Sequence, residues 1–148
     1  RNNTASAGSS FVGGGASNSS SNFYATISGG FTNTVSGSYS NIHAGYFNTV
    51  SGGYSSILGG KSNTVSSDCS AILGGRNNNI TVGSGLSGIV GSNNTVQNIQ
   101  SYVVGYGITT DRQCATFVNN LSIKNIPTSS VGLPSGSVWS NGGVLTIV

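Results

Sequence analysis

The side chains able to do acid–base, nucleophilic or metal chemistry are few. They are Asp68, Asp111, His43, Cys69 and Cys114; the chain of 148 residues contains no glutamate. A pair of carboxylates about 5 to 9.5 Å apart would serve glycoside cleavage. A hydroxyl nucleophile would need His43 beside both a serine and an acid. A metal centre would need several of these ligands to converge. Whether any of them can meet depends on the elements that carry them.

Those elements are written as a repeat. Ile27, Ile42, Ile57 and Ile72 fall 15 apart, and Gly30, Gly45, Gly60 and Gly75 keep the same step. So do Asn33, Asn48, Asn63 and Asn78, and Val35, Val50, Val65 and Ile80. The phase slips through "TVGSGLSG" and resumes with one glycine fewer, so that Val90 to Val104 and Gly91 to Gly105 are 14 apart. A fixed period sets the architecture. This one is too short for a helix pair and suits one coil of a β-helix, whose coils bury their apolar sides only by stacking. The absence of a 3.6-residue period and the 24 glycines argue against helix.

Each column then has an expected place. In "NTVS" the valine points inward and the Thr and Ser outward. The Gly-Gly pair and the Asn suit corners, because both accept left-handed backbone, and stacked Asn side chains can bond up the column. The same stacking separates the chemical residues. Asp68 and Asp111 lie nearly three coils apart, roughly 14 Å along the axis at the ladder spacing. His43 is almost two coils from Asp68. The expectation is no enzyme, no catalytic residue, no metal and no cofactor. The glycine pairs recur in every coil without a strand-to-helix context, so they are no nucleotide motif. Cys69 and Cys114 read as two small, partly buried thiols, with a disulfide within or between chains as the other reading.

Composition bounds the rest. Charged residues are 5% and hydrophobic residues 35%, so the core is thin and solubility falls to Ser, Thr and Asn. The strict period argues against the disorder such a composition would otherwise imply. A net charge of +3 from five basic and two acidic residues is too dilute for a nucleic-acid footprint. No stretch of about 20 apolar residues marks a membrane span, so no membrane insertion is expected. Arg1 opens in mid-repeat, which reads as a fragment or processed piece of something longer.

The phrase "SxILGGxxNTVSGxYS", over about Ser9 to Thr110, resembles the head repeats of YadA-type trimeric adhesins and similar repeats in phage and large-virus fibre proteins. The resemblance implies a left-handed parallel β-roll, three of which pack around an axis. Its repeats usually have about 14 residues, so the 15-residue coils with Gly-Gly depart from it. A homotrimer would account for one column. The residue after the inward Ile reads Ser28, His43, Leu58, Leu73, Val90, Val104. A contiguous apolar row suggests an interface, so Leu58, Leu73, Val90 and Val104 are the expected trimer contacts. A flattened coil that buries both columns is the alternative.

The residue after Gly-Gly forms an outer column of Ala16, Phe31, Tyr46, Lys61 and Arg76. Aromatic faces beside polar and basic groups suit sugar, so Phe31, Tyr46, Lys61 and Arg76 are the candidate glycan contacts. Tyr24, Tyr39 and Tyr54 read as a structural stack. From Asp111 the repeat fades, which divides the chain into a repeat roll (1–110) and a C-terminal β cap or trimerisation module (111–148). There "GSVWSNGGVLTIV" reads as a hairpin turned by Asn-Gly, able to cover the open ladder of the last coil. The functional expectation is a trimeric, all-β fibre or head segment on a virion surface or otherwise extracellular. Its partners would be sister chains, other virion or fibre proteins and host-surface glycan. One alternative is a purely structural virion or filament component. Another is an ice-binding solenoid, on the outward Thr-x-Ser pairs at Thr34, Thr49 and Thr64.

Overall fold

The computed structural model describes residues 2–148. The strands in chain order are β1 (Thr4–Ala5), β2 (Phe11–Val12), β3 (Ser19–Ser20), β4 (Thr26–Ile27), β5 (Thr34–Val35) and β6 (Asn41–Ile42). They continue as β7 (Thr49–Val50), β8 (Ser56–Ile57), β9 (Thr64–Val65), β10 (Ala71–Ile72), β11 (Asn79–Ile80) and β12 (Gly88–Ser92). The last are β13 (Thr95–Val96), β14 (Tyr102–Tyr106), β15 (Thr116–Val118), β16 (Val138–Asn141) and β17 (Val144–Ile147). Among the described residues there is no helix.

The chain is a parallel β-solenoid of about eight turns. Odd-numbered strands β1 to β13 form a seven-stranded sheet, and even-numbered strands β2 to β14 with β15 form an eight-stranded one. Each coil contributes one short strand to each sheet. Ile42 sits between Ile27 and Ile57 in register, and Val50 between Val35 and Val65. The two aliphatic columns face each other, and the members from Ile27 to Val96 are all 0% exposed. Burying an Ile or Val side chain is worth about 1.5–3 kcal/mol, so these two files of side chains are the core.

The phase slip has a simple geometry. Ile72 pairs with Ile89 across the longer step, while Ile89 pairs with Val103 across the shorter one. The extra residues bulge at the corner between Thr81 and Leu86, where Val82 is exposed. The lost glycine falls after Val90. Gly91 alone lies beneath the Gly105 carbonyl, as Gly75 lies beneath that of Gly91.

The corners differ from expectation. The repeated asparagine column, Asn33, Asn48, Asn63, Asn78 and Asn94, is not left-handed. Positive φ falls on the residue before each, Thr32, Phe47, Ser62, Asn77 and Asn93 (φ 53–57°), and on the column Tyr24, Tyr39, Tyr54, Cys69, Leu86, Gln100 and Cys114 (φ 53–60°). A left-handed backbone costs a non-glycine residue about 1–2 kcal/mol. The reversal lets that residue's N–H point to the preceding coil while its neighbours point to the next. Tyr54 N–H donates to Ser38 C=O at 2.9 Å, and Ser62 N–H to Tyr46 C=O at 2.9 Å. Every coil is thereby bonded in both directions.

The asparagines do their work through side chains. Asn63 Oδ1 accepts the Asn78 N–H (3.1 Å) and Asn78 Nδ2 (3.0 Å), while its own Nδ2 donates to Gly59 C=O (3.2 Å) and Gly75 C=O (3.0 Å). The same pattern links Asn18, Asn33, Asn48, Asn78 and Asn94, all buried, and ends where Asn94 Oδ1 accepts the Ile108 N–H at 2.9 Å. A second polar file lies at the opposite corner. Ser55, Ser70, Ser87 and Ser101 each donate their N–H to the hydroxyl of the serine one coil earlier. The buried asparagines and serines of these two files are tolerated because each coil satisfies the next; the buried Asn41 Oδ1, outside both files, has no partner among the described residues.

The parallel ladder continues past residue 110, since β15 pairs with β14 from Thr116 to Val118. Beyond it, β16 and β17 form the antiparallel hairpin. Its two-residue loop is Gly142–Gly143, both at positive φ (58° and 92°), the signature of a type I′ turn. Asn141 is instead the last paired strand residue, opposite Val144. Among the described residues, the backbone bonds of 127–148 close within that segment and none reaches a coil.

Candidate functional site

The outward columns are where this solenoid meets its surroundings. Between the glycine corner and the asparagine file, Ala16, Phe31, Tyr46, Lys61 and Arg76 are joined in sequence by parallel bridges. Four candidate contacts named from the sequence therefore stand on one edge, one coil apart. The rings are not open platforms, however. Phe31 and Tyr46 stack on each other at 5.3 Å and 11°, and Phe47 stands edge-on to Tyr46 at 4.4 Å and 89°. Lys61 Nζ lies 5.5 Å from the centroid of Tyr46. The facing sides of the two rings are taken up along the axis, so the edge offers outside molecules mainly ring rims, the Tyr46 hydroxyl and two cations. Lys61 and Arg76, adjacent in the bridge ladder, are both exposed. Among the described residues the one salt bridge joins Asp111 to Arg112 at 2.9 Å, leaving Lys61 and Arg76 outside any such pair.

Tyr24, Tyr39 and Tyr54 stack at 4.9 and 5.0 Å with interplanar angles of 15° and 2°. Coil spacing and aromatic stacking distance nearly coincide, so the rings support neighbouring left-handed corners.

The residues after the inward Ile lie on the outer face of the eight-stranded sheet. Leu58, Leu73, Val90 and Val104 are 50, 54, 43 and 50% exposed, and Val118 extends the row at 38%. They are not internal to a flattened coil. Val90 pairs with Val104 and Val104 with Val118, so the row is continuous. Beside it Gly88 leaves a groove of about 240 Å³, walled by Ala71, Leu73, Val90, Tyr102 and Val104. The row's earlier members, Ser28 and His43, are polar, so the apolar stripe covers only the C-terminal half of the face.

The residues with chemical potential are dispersed. Asp68 Oδ1 accepts the Gly53 N–H at 2.8 Å and so serves a corner. Asp111 is fully exposed, and the Arg112 hydrogen bond holds its carboxyl below the usual range. His43 stands exposed on the sheet's outer face. Cys69 and Cys114 are free and exposed rather than partly buried, because both occupy the left-handed corner that aims side chains outward. They share one corner column three coils apart, beyond disulfide reach. Among the described residues no group of three or more His, Cys, Asp or Glu converges as a metal site.

Two features escaped sequence reasoning. The serine file was signalled by the 15-residue step of Ser40, Ser55 and Ser70, hidden among many serines. The pairing inside the hairpin, which sets Val138 beside Ile147 and Asn141 beside Val144, required strand register. In comparison with known proteins, no family model matches this chain and no curated protein matches it.

Proposed function

We propose that the chain is a rigid, non-enzymatic display segment of a fibre or head on a virion or cell surface. It attaches through the Phe31–Tyr46–Lys61–Arg76 edge to acidic glycan. The observation that carries this reading is the bridge-linked placement of Lys61 next to Arg76, with no carboxylate in that ladder. A carboxylate or sulfate can be shared by two cations one coil apart, and charge-assisted hydrogen bonds of this kind contribute about 1.5–3 kcal/mol each. Because the ring faces are already stacked, the aromatic residues form a rim that shields the ion contact rather than a platform for neutral sugar. Sister chains pack along the Leu58–Val118 row, which repeats the edge around an axis and raises avidity.

A glycan array with the intact chain tests this. Binding is expected to acidic glycans, to weaken as salt is raised, and to drop at least about tenfold in Lys61→Ala/Arg76→Ala. A folded chain that ignores every acidic glycan, or that binds neutral ones equally, overturns it.

A further inference from the structure

The edge that carries Lys61 and Arg76 continues toward the C-terminus. Arg76 N–H donates to Ser92 Oγ at 3.1 Å, and Ser92 pairs with Tyr106 in the parallel ladder. The column therefore reads Lys61, Arg76, Ser92, Tyr106. Tyr106 stands two coils beyond Arg76, roughly 9.5 Å along the axis at the ladder spacing. It is 63% exposed, against 44% for Phe31 and 41% for Tyr46. Among the described residues no other ring packs on it. Its neighbours explain the difference. Tyr46 is followed by Phe47, whose ring stands against it, whereas Tyr106 is followed by Gly107. One coil earlier, Phe31 stacks on Tyr46, whereas the residue paired with Tyr106 is only Ser92. The backbone beneath the ring is held from both sides. Tyr106 N–H donates to Asn119 Oδ1, and Gly107 N–H to Ser92 C=O at 3.1 Å.

We propose that Tyr106 is the sugar-stacking residue of this edge, and that the ligand is an acidic sugar joined to a neutral one, lying along the axis. The anionic group sits at Lys61 and Arg76. The CH face of the neutral sugar packs on the open Tyr106 ring. Between them Ser92 leaves room, and its hydroxyl can donate to a sugar oxygen. The inference rests on the attachment reading above and adds the second sugar and the direction in which the ligand runs. Toward the N-terminus the rings of Tyr46 and Phe31 are already stacked on each other. The other stack that ends in an exposed ring, at Tyr54, lies beside Asp68, whose carboxylate accepts the Gly53 N–H at 2.8 Å. An anionic ligand is repelled there.

Affinity of the intact chain for paired glycans tests this. The probes are glucuronic acid, sialic acid and galactose sulfate, each alone and each joined to a neutral galactose. For the acidic sugar that binds, the joined form is expected to bind about threefold tighter or more. Tyr106→Ala, with the wild-type circular dichroism, is expected to remove that gain and leave the acidic sugar alone unchanged. Tyr106→Phe keeps the ring and is expected to keep the gain. Lys61→Ala/Arg76→Ala is expected to weaken both forms. If the joined form gains nothing, or Tyr106→Ala retains the gain, or Tyr106→Phe loses it, the Tyr106 inference falls while the cation site stands. If no acidic sugar binds in either form, both fall.

Discussion

At the scale of single residues, two adjacent glycines have opposite roles. A Cβ on Gly60 would stand 2.0 Å from the Gly75 carbonyl oxygen, and Gly60 has φ +97°. Gly59 has only the Ala44 carbonyl oxygen near, at 3.8 Å, and Ala44 itself occupies the equivalent place one coil earlier. Gly60→Ala is therefore expected to cost about 3 kcal/mol or more, and Gly59→Ala to stay within about 1 kcal/mol of wild type. Denaturant unfolding of the two variants checks this, and equal effects would refute the stacking account. The sequence presented the pair as one corner signal. Only the contact with the next coil tells the two glycines apart.

At the scale of an element, the asparagine file is a continuous polar ladder inside a thin core. Removing one member orphans an N–H of the next coil. Asn63→Ala leaves the buried Asn78 N–H without its acceptor, at about 1–3 kcal/mol, while the Gly75 carbonyl loses one of two donors and keeps the Lys61 N–H. The expected readout is a lowered unfolding midpoint, with faster amide exchange of Asn78 than of residues several coils away. Uniform exchange throughout would argue against a file of local bonds. The columns themselves were legible in the sequence, because a repeated aliphatic residue must be a repeated burial. The function of the Asn column was not. Left-handed preference and side-chain bonding both favour Asn near a corner, and the backbone assigned the left-handed place to Phe47 and Ser62 instead.

At the scale of the molecule, the coils are modular. Each touches its neighbours and little else, so stability is close to a sum over coils and interfaces. Deleting residues 46–60 joins Gly45 to Lys61 and removes one whole turn in register. The shortened chain is expected to keep its β-sheet spectrum and cooperative unfolding. Deleting residues 46–53 instead puts the Ile and Val columns out of phase and is expected to unfold it. If the two deletions behave alike, the stack is not modular. The candidate attachment edge belongs to this scale too. Lys61 and Arg76 are distant in sequence and adjacent because the coil returns to the same edge.

The sequence by itself determined the solenoid, since a period of 15 with buried aliphatics has few other ways to remove its apolar side chains from water. It also placed the outward columns and the C-terminal hairpin. Tertiary structure decided what those columns present. Coil spacing matches ring stacking, so Phe31 and Tyr46 spend their faces on each other and leave the cations outward. Strand register decided which hairpin residues share a side, Val138 with Ile147 and Leu145, Trp139 with Val144, because alternation along one strand does not say what the opposite strand places beside it.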